Sequence, residues 1–163
     1  MKFQVDDLTV NAATGAVSIE RDEVADAPLV VLLHGAGMDR TVWSQQTRWL
    51  AHHGTRALAV DLPGHGDSEG PAITSIGGLA AWTARLAEAL GGRIHLVGHS
   101  MGAFIALEAA AATPDRIASV VLMGVGASMP VHPDLQVAAD ADDPLAAALM
   151  AGWMHGPDQK FGL

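Results

Sequence analysis

Apolar residues along this chain fall into short continuous runs rather than alternating ones. Leu29–Leu33, Arg56–Leu62, Arg93–Val97 and Ile117–Met123 each read as an unbroken greasy segment stopped by glycine, proline or polar residues. A strand buried on both faces needs no polar alternation, so these four segments predict interior strands of a parallel sheet. Between them the period changes. Val42–His53, closed by Gly54, predicts a helix. Ile76, Leu79, Thr83, Leu86 and Leu90 recur three and four apart, with Trp82 beside them and Gly91-Gly92 behind, which marks a second helix. Met101–Ala112 is alanine-rich and ends at Thr113-Pro114, a third.

The two ends read differently. Phe3–Val10 and Gly15–Glu20 carry β-branched residues on either side of an Asn11–Gly15 turn signal, which predicts an antiparallel hairpin. A polar connector, Arg21–Pro28, follows. After Gly124, Pro130, Pro133 and Pro144 punctuate an Ala/Asp-rich stretch that predicts one or two short helices. No internal repeat is visible. The sum is an α/β fold: a mostly parallel sheet with helices on both faces and an antiparallel hairpin at the N-terminus.

Composition narrows the function classes. The 163 residues include no cysteine, which excludes disulfides, thiolate metal sites and a cysteine nucleophile. Lys and Arg number 9 against 18 Asp and Glu, so the net charge of −9 repels nucleic acid and anionic membranes. The chain is 50% apolar and only 17% charged, which argues against disorder and for surfaces that expect a cover. The start turns acidic at Asp6-Asp7, unlike a signal peptide, and no apolar run reaches the ~20 residues of a membrane span. A soluble, cytoplasmic protein is expected.

In a parallel sheet, ligands sit beyond the carboxyl ends of the strands. Three such ends carry unusual residues: His34-Gly35-Ala36-Gly37, Asp61-Leu-Pro-Gly-His-Gly-Asp67-Ser68 and Gly98-His99-Ser100-Met101-Gly102. The last is a G-x-S-x-G pattern placed directly between a strand and a helix. A turn that sharp forces its central residue into strained backbone, and the flanking glycines let neighbouring chain approach. The serine hydroxyl is then held out beside a helix N-terminus, where negative charge is favoured. The plain alternative is an N-cap serine followed by a close-packed glycine. Acyl transfer also needs two donors aimed at the oxygen that becomes negative. The Met101 N–H is one; the other comes from the first glycine loop, Ala36 or, as second choice, Gly37. His34, Gly35 and His99, which flank these groups, are taken as substrate-binding.

These three motifs, with Met38-Asp39 and Trp43 behind the first, resemble the α/β-hydrolase fold family, in the subgroup of small esterases, meta-cleavage-product hydrolases and cofactor-free haloperoxidase-like enzymes. Their order and separation match it throughout residues 29–124. The resemblance implies a serine hydrolase that cleaves a small ester, thioester or carbon–carbon bond through an acyl-enzyme, with Ser100 as nucleophile and no metal or organic cofactor. Serine at that position speaks against the epoxide-hydrolase and haloalkane-dehalogenase branches, which place aspartate there. It also implies an acid and then a histidine after later strands. Residues 1–128 accordingly read as the N-terminal part of the hydrolase core, and 129–163 as the start of a cap-like helical region, so that the chain is expected to be the first half of an enzyme.

Within the chain, His132 and His155 are the histidines that could approach Ser100 as a base. His34, His52, His53, His65, His95 and His99 read as loop, strand or helix-end residues. Asp134 is the nominee for the acid, while Asp61 and Asp67 read as loop braces. The acid stays unassigned. A non-catalytic remnant serving as an assembly or binding module is the alternative function. Ile117–Met123, an interior strand by pattern, would become a bare apolar edge if later strands are absent. It is therefore expected to be covered by a C-terminal half, by a second copy of the chain or by cap residues folded back.

Overall fold

The computed structural model describes residues 1–20 and 26–155. They form two compact units, one running from Met1 to Val125 and the other from Gly126 onward.

The first unit is built on a six-stranded sheet. Its strands are β1 (Lys2–Val5), β2 (Leu8–Ala13), β3 (Leu29–Leu33), β4 (Arg56–Val60), β5 (Ile94–His99) and β6 (Ile117–Met123), in the spatial order β1-β2-β4-β3-β5-β6. The four apolar runs became β3 to β6, all parallel to one another, with Leu33 level with both Val60 and Gly98. Three helices make the crossovers: α1 (Ser44–His52), α2 (Ile76–Ala89) and α3 (Met101–Ala112). The stop and start signals act as expected. Ser75 caps α2 by accepting the Gly78 N–H at 3.1 Å, and Gly54 and Gly91 leave α1 and α2 at positive φ.

Strand alternation divides the core between the two faces. Val31, Leu33, Leu58, Val60, Ile94 and Leu96 pack with Leu79, Trp82 and Leu86 of α2 and Ile105 and Ala109 of α3. Leu32, Ala57 and Ala59 point the other way and meet Trp43. Each fully buried leucine among these contributes about 1.5–3 kcal/mol. The small side chains of α3 let it lie close against both α2 and the sheet.

Two expectations change. The N-terminal hairpin exists, but its turn is Asp6-Asp7 and not Asn11–Gly15: Val5 pairs with Leu8 across a two-residue loop whose residues have φ of 53° and 62°. Such loops match the twist of a hairpin, and aspartate tolerates the left-handed region. Asn11 instead sits inside β2, which runs on to pair antiparallel with β4, and no strand forms over residues 15–20. Residues 21–25 of the expected connector lie outside the described residues. The second change concerns β6. Its pattern is that of an interior strand, but among the described strands it is the edge, and Val121, Leu122 and Met123 are 40–50% exposed.

The second unit contains α4 (Pro133–Asp140) and α5 (Leu145–His155), which pack on each other. Among the described residues, no helix is long and apolar enough to cross a membrane.

Candidate active site

At the end of β5 the chain passes straight into α3, and Ser100 alone absorbs the change of direction. Its backbone lies at φ 55°, ψ −117°, a region that costs a residue with a Cβ about 1–3 kcal/mol. The surroundings hold it there. The Ser100 N–H donates to the Met123 carbonyl at 2.9 Å, and the Ser100 carbonyl accepts the Ala103 N–H at 2.9 Å. The two glycines of the pattern are required by close approach. A Cβ on Gly98 would overlap the Gly102 carbonyl, and one on Gly102 would overlap the carbonyl of Leu33. An N-cap serine accepts a hydrogen bond from the first helical turn. Ser100 makes no such bond, and its half-exposed hydroxyl is uncommitted among the described residues.

The first glycine loop lies against this bend. An added Cβ at Gly35 would stand 3.2 Å from both the Ser100 Cβ and His99 Nδ1, so no side chain separates the loop from the serine. Ala36 and Gly37 are exposed, and Gly37 turns the chain at φ 67°. The only backbone bond that crosses the loop runs from the Met38 N–H to the Gly35 carbonyl, at 3.3 Å. No described residue accepts the N–H of Ala36, Gly37 or Met101. Three unsatisfied donors thus lie on the two backbone segments that flank one free hydroxyl. The geometry leaves Ala36 and Gly37 equivalent.

The histidines have separate positions. His34, expected among the substrate-binding residues, is wholly buried. Its Nδ1 donates to the Gly35 carbonyl at 2.8 Å and its Nε2 accepts the Leu62 N–H at 3.1 Å. Both nitrogens are committed to main chain, so it ties the donor loop to the loop after β4 and presents no edge to a bound molecule. Burial pushes its pKa below the ordinary histidine value. His99 is half-buried and stands edge-on to Trp43, with ring centroids 6.4 Å apart. His65 donates from Nδ1 to the Pro63 carbonyl, His95 meets Ser119 Oγ at 2.8 Å, and His53 stacks on Trp49. His132, in the second unit, caps α4 by accepting the Asp134 N–H. The side chain of His155 lies outside the described residues. None of the described imidazoles of the first unit is hydrogen-bonded to Ser100.

The acids brace loops. Asp61 is buried beyond the end of β4 and accepts the Arg40 N–H at 2.7 Å, the Asp67 N–H at 2.9 Å and the Arg40 guanidinium. Arg40 reaches on to Asp67 at 2.6 Å. The sequence reading passed over Arg40; its signal was that it is the one cation in the loop that follows β3, in an acidic chain. Asp134 is exposed in the first turn of α4, where the helix dipole favours it. Among the described residues, no three His, Asp or Glu side chains cluster as a metal site. An apolar hollow of about 400 Å³, bordered by Leu32, Trp43, Leu50, Val97 and Met123, opens on the α1 side of the sheet and does not reach Ser100.

Comparison with known proteins places this geometry. The sequence profile of the family described as alpha/beta hydrolase fold matches residues 28–163. A pimeloyl-[acyl-carrier protein] methyl ester esterase of Methylococcus capsulatus is 42% identical over 96 residues, 59% of this chain and 36% of that protein. Epoxide hydrolase 3 of Siraitia grosvenorii is 33% identical over 126 residues, 75% of this chain and 39% of its own length. Among solved structures, a bacterial membrane phospholipase A described as a virulence factor superposes with a TM-score of 0.70 at 33% identity, covering 89% of this chain and 46% of that one. The chain thus spans less than half the length of these relatives.

Proposed function

The chain belongs to the α/β-hydrolase family, and from that premise we propose that it carries the nucleophile and the oxyanion site of a serine hydrolase that cleaves a small carboxylic ester or a related acyl bond. The observation that carries this reading is Ser100: a non-glycine residue held at φ 55°, ψ −117° whose hydroxyl makes no hydrogen bond among the described residues. Strain that contributes nothing to packing belongs to a site where position matters more than stability. The esterase and phospholipase relatives support the ester class, and the serine in place of an aspartate sets the chain apart from the epoxide-hydrolase branch.

In this mechanism the Ser100 Oγ attacks the substrate carbonyl carbon and its proton passes to a base. The carbonyl oxygen, now negative, is held by the Met101 N–H and by the N–H of Ala36 or Gly37, at the N-terminus of α3. Collapse expels the alcohol and leaves an acyl-Ser100 ester, which water then cleaves. Removing one oxyanion donor costs about 10²–10³ in turnover in enzymes of this type. No described imidazole of the first unit is placed to serve as the base, so the base comes from outside the described residues of that unit, the acid stays unassigned, and residues 129–163 are assigned to the start of a cap. In a well-studied serine protease, losing the base costs about six decades of turnover and leaves a residual rate above that of water, so Ser100 and its oxyanion donors without a base would turn esters over slowly.

The test is labelling of the full-length protein with a fluorophosphonate, read by intact mass, alongside hydrolysis of short p-nitrophenyl esters. One adduct, carried by the Ser100 peptide and absent from Ser100→Ala, together with loss of turnover in that variant, supports the reading. A full-length protein that takes no adduct, or a variant that keeps its turnover, overturns it. A second reading, a non-catalytic assembly module, is favoured by the exposed apolar edge at β6. It expects no adduct under any condition.

A further inference from the structure

The donor loop, residues 34–39, is not fastened to the serine it faces. It is fastened at both ends to a different loop, residues 61–68. At its start, buried His34 accepts the Leu62 N–H. At its end, Arg40 is bound three times: its N–H to Asp61 Oδ1 at 2.7 Å, one arm of its guanidinium to Asp61 Oδ2, and the other arm to Asp67 Oδ2 at 2.6 Å. Asp61 is fully buried and also holds the Asp67 N–H. Gly66 packs so tightly on that carboxylate that a Cβ there would overlap it. Asp39 fixes the next turn by accepting the Thr41 N–H and hydroxyl. Between these two anchors Ala36 and Gly37 are exposed, and their N–H groups have no partner among the described residues. Within the loop one turn bond, from the Met38 N–H to the Gly35 carbonyl at 3.3 Å, closes over those two donors; the anchors hold that turn in place against the rest of the fold.

We infer that Arg40 is a positioning residue for the oxyanion site: its fork across Asp61 and Asp67 fixes the N–H groups of Ala36 and Gly37 opposite that of Met101. The inference rests on Ser100 being the nucleophile. Arginine fits this bridge best, because its planar fork presents separate, fixed N–H arms to the two carboxylates, whereas the three donors of a lysine ammonium radiate from one nitrogen on a flexible stem and do not hold that spacing. Displacing a donor by about 1 Å costs on the order of a hundredfold in rate without removing any group that touches substrate. The loss therefore falls on the transition state and not on ground-state binding.

The experiment compares Arg40→Gln, Arg40→Lys and Asp67→Asn in the full-length protein, with kcat and KM for a short p-nitrophenyl ester and the affinity of a trifluoromethyl ketone as readouts. Arg40→Gln is expected to lower kcat by roughly ten- to a hundredfold with KM little changed, and to weaken the ketone in proportion to kcat/KM. Arg40→Lys, which keeps a cation beside Asp61, recovers part of the loss and carries the test where Arg40→Gln does not fold. Asp67→Asn, at the exposed end of the fork, has the smallest effect. Wild-type kcat and ketone affinity in a folded Arg40→Gln protein, or a rise in KM equal to the loss in kcat/KM, overturn the inference. Ser100→Ala in the same assay separates the two claims. Turnover that survives it removes the functional reading, whereas turnover that needs Ser100 but ignores Arg40 removes only the role of Arg40.

Discussion

Gly102, in the first turn of α3, lies so close to Leu33 at the end of β3 that a Cβ on the glycine would overlap the leucine carbonyl. This contact brings the N-terminus of α3 down onto the strand whose end continues into the donor loop. It therefore sets the distance between the two backbone segments that carry the free N–H groups. Gly102→Ala cannot relax by moving a side chain, because both partners are main chain. It is expected to destabilise the protein at the upper end of the overpacking range, about 3 kcal/mol, as read by urea unfolding. A variant within 0.5 kcal/mol of the parent (roughly the spread of neutral surface changes) would show that the approach is looser than described.

Ser100 stores strain at the same bend, so its removal has a predictable sign. At φ 55° glycine pays no Cβ penalty, whereas alanine keeps it. Ser100→Gly is expected to be more stable than Ser100→Ala by about 1 kcal/mol, once the greater freedom of glycine in the unfolded chain has been subtracted from the relief. Thermal unfolding of the two variants side by side gives the difference. Equal melting temperatures would mean that the bend is not strained.

The order of elements in the sheet unit was legible in the sequence because each parallel strand is a continuous apolar run and each crossover helix, α1 to α3, ends on a glycine or proline with a mechanical reason to be there. The bend at Ser100 was legible because Gly98 and Gly102 are both demanded by close backbone contacts. The hairpin turn was not. Asp6-Asp7 reads as surface charge unless two aspartates in the left-handed region are considered, and Asn11 reads as a turn residue although its N–H is held by Ser68 and its carbonyl by Asp61. The Arg40–Asp61–Asp67 brace was hidden for a related reason: it joins residues 21 and 27 positions apart, and no local pattern announces a contact made by the fold.

His34 couples stability to pH. Burial lowers its folded-state pKa below the ordinary value near 6.5, while the unfolded chain titrates at that value. As pH falls through 6.5 the unfolded state takes up the proton first, so stability is full above that pH. It is lost progressively until the folded pKa is passed, at about 1.4 kcal/mol per unit of difference between the two pKa values. Protonation would also remove the acceptor for the Leu62 N–H. Urea midpoints between pH 5 and 8 are expected to fall on the acid side in the parent and to fall less in His34→Gln. His65, Asp61 and Asp39 face the ring and remain in both proteins, so the difference between the two curves isolates His34. Parallel curves would refute the coupling.

The last expectation concerns β6, whose inner edge pairs with β5 while its outer edge meets no strand among the described residues. An apolar strand of seven residues with open N–H and C=O groups and no charged side chain is a template for another strand. A natural edge is kept free by a lysine, a proline or a bulge; β6 has no lysine or proline, and its one register irregularity lies at its start, where Ile117 and Ser119 face the consecutive residues Ile94 and His95, leaving Ser119–Met123 in regular pairing. The 163-residue chain is therefore expected to self-associate through this strand. Val121→Lys, at a position 50% exposed, should shift it toward monomer in light scattering coupled to gel filtration without lowering its melting temperature. The strand register leaves the Ser100 N–H bonded to the Met123 carbonyl, so the same variant tests whether covering the edge also steadies the bend. Amide exchange at Ser100 should slow as the chain associates and quicken in Val121→Lys. A parent chain that stays monomeric at high concentration would show that β6 needs no partner.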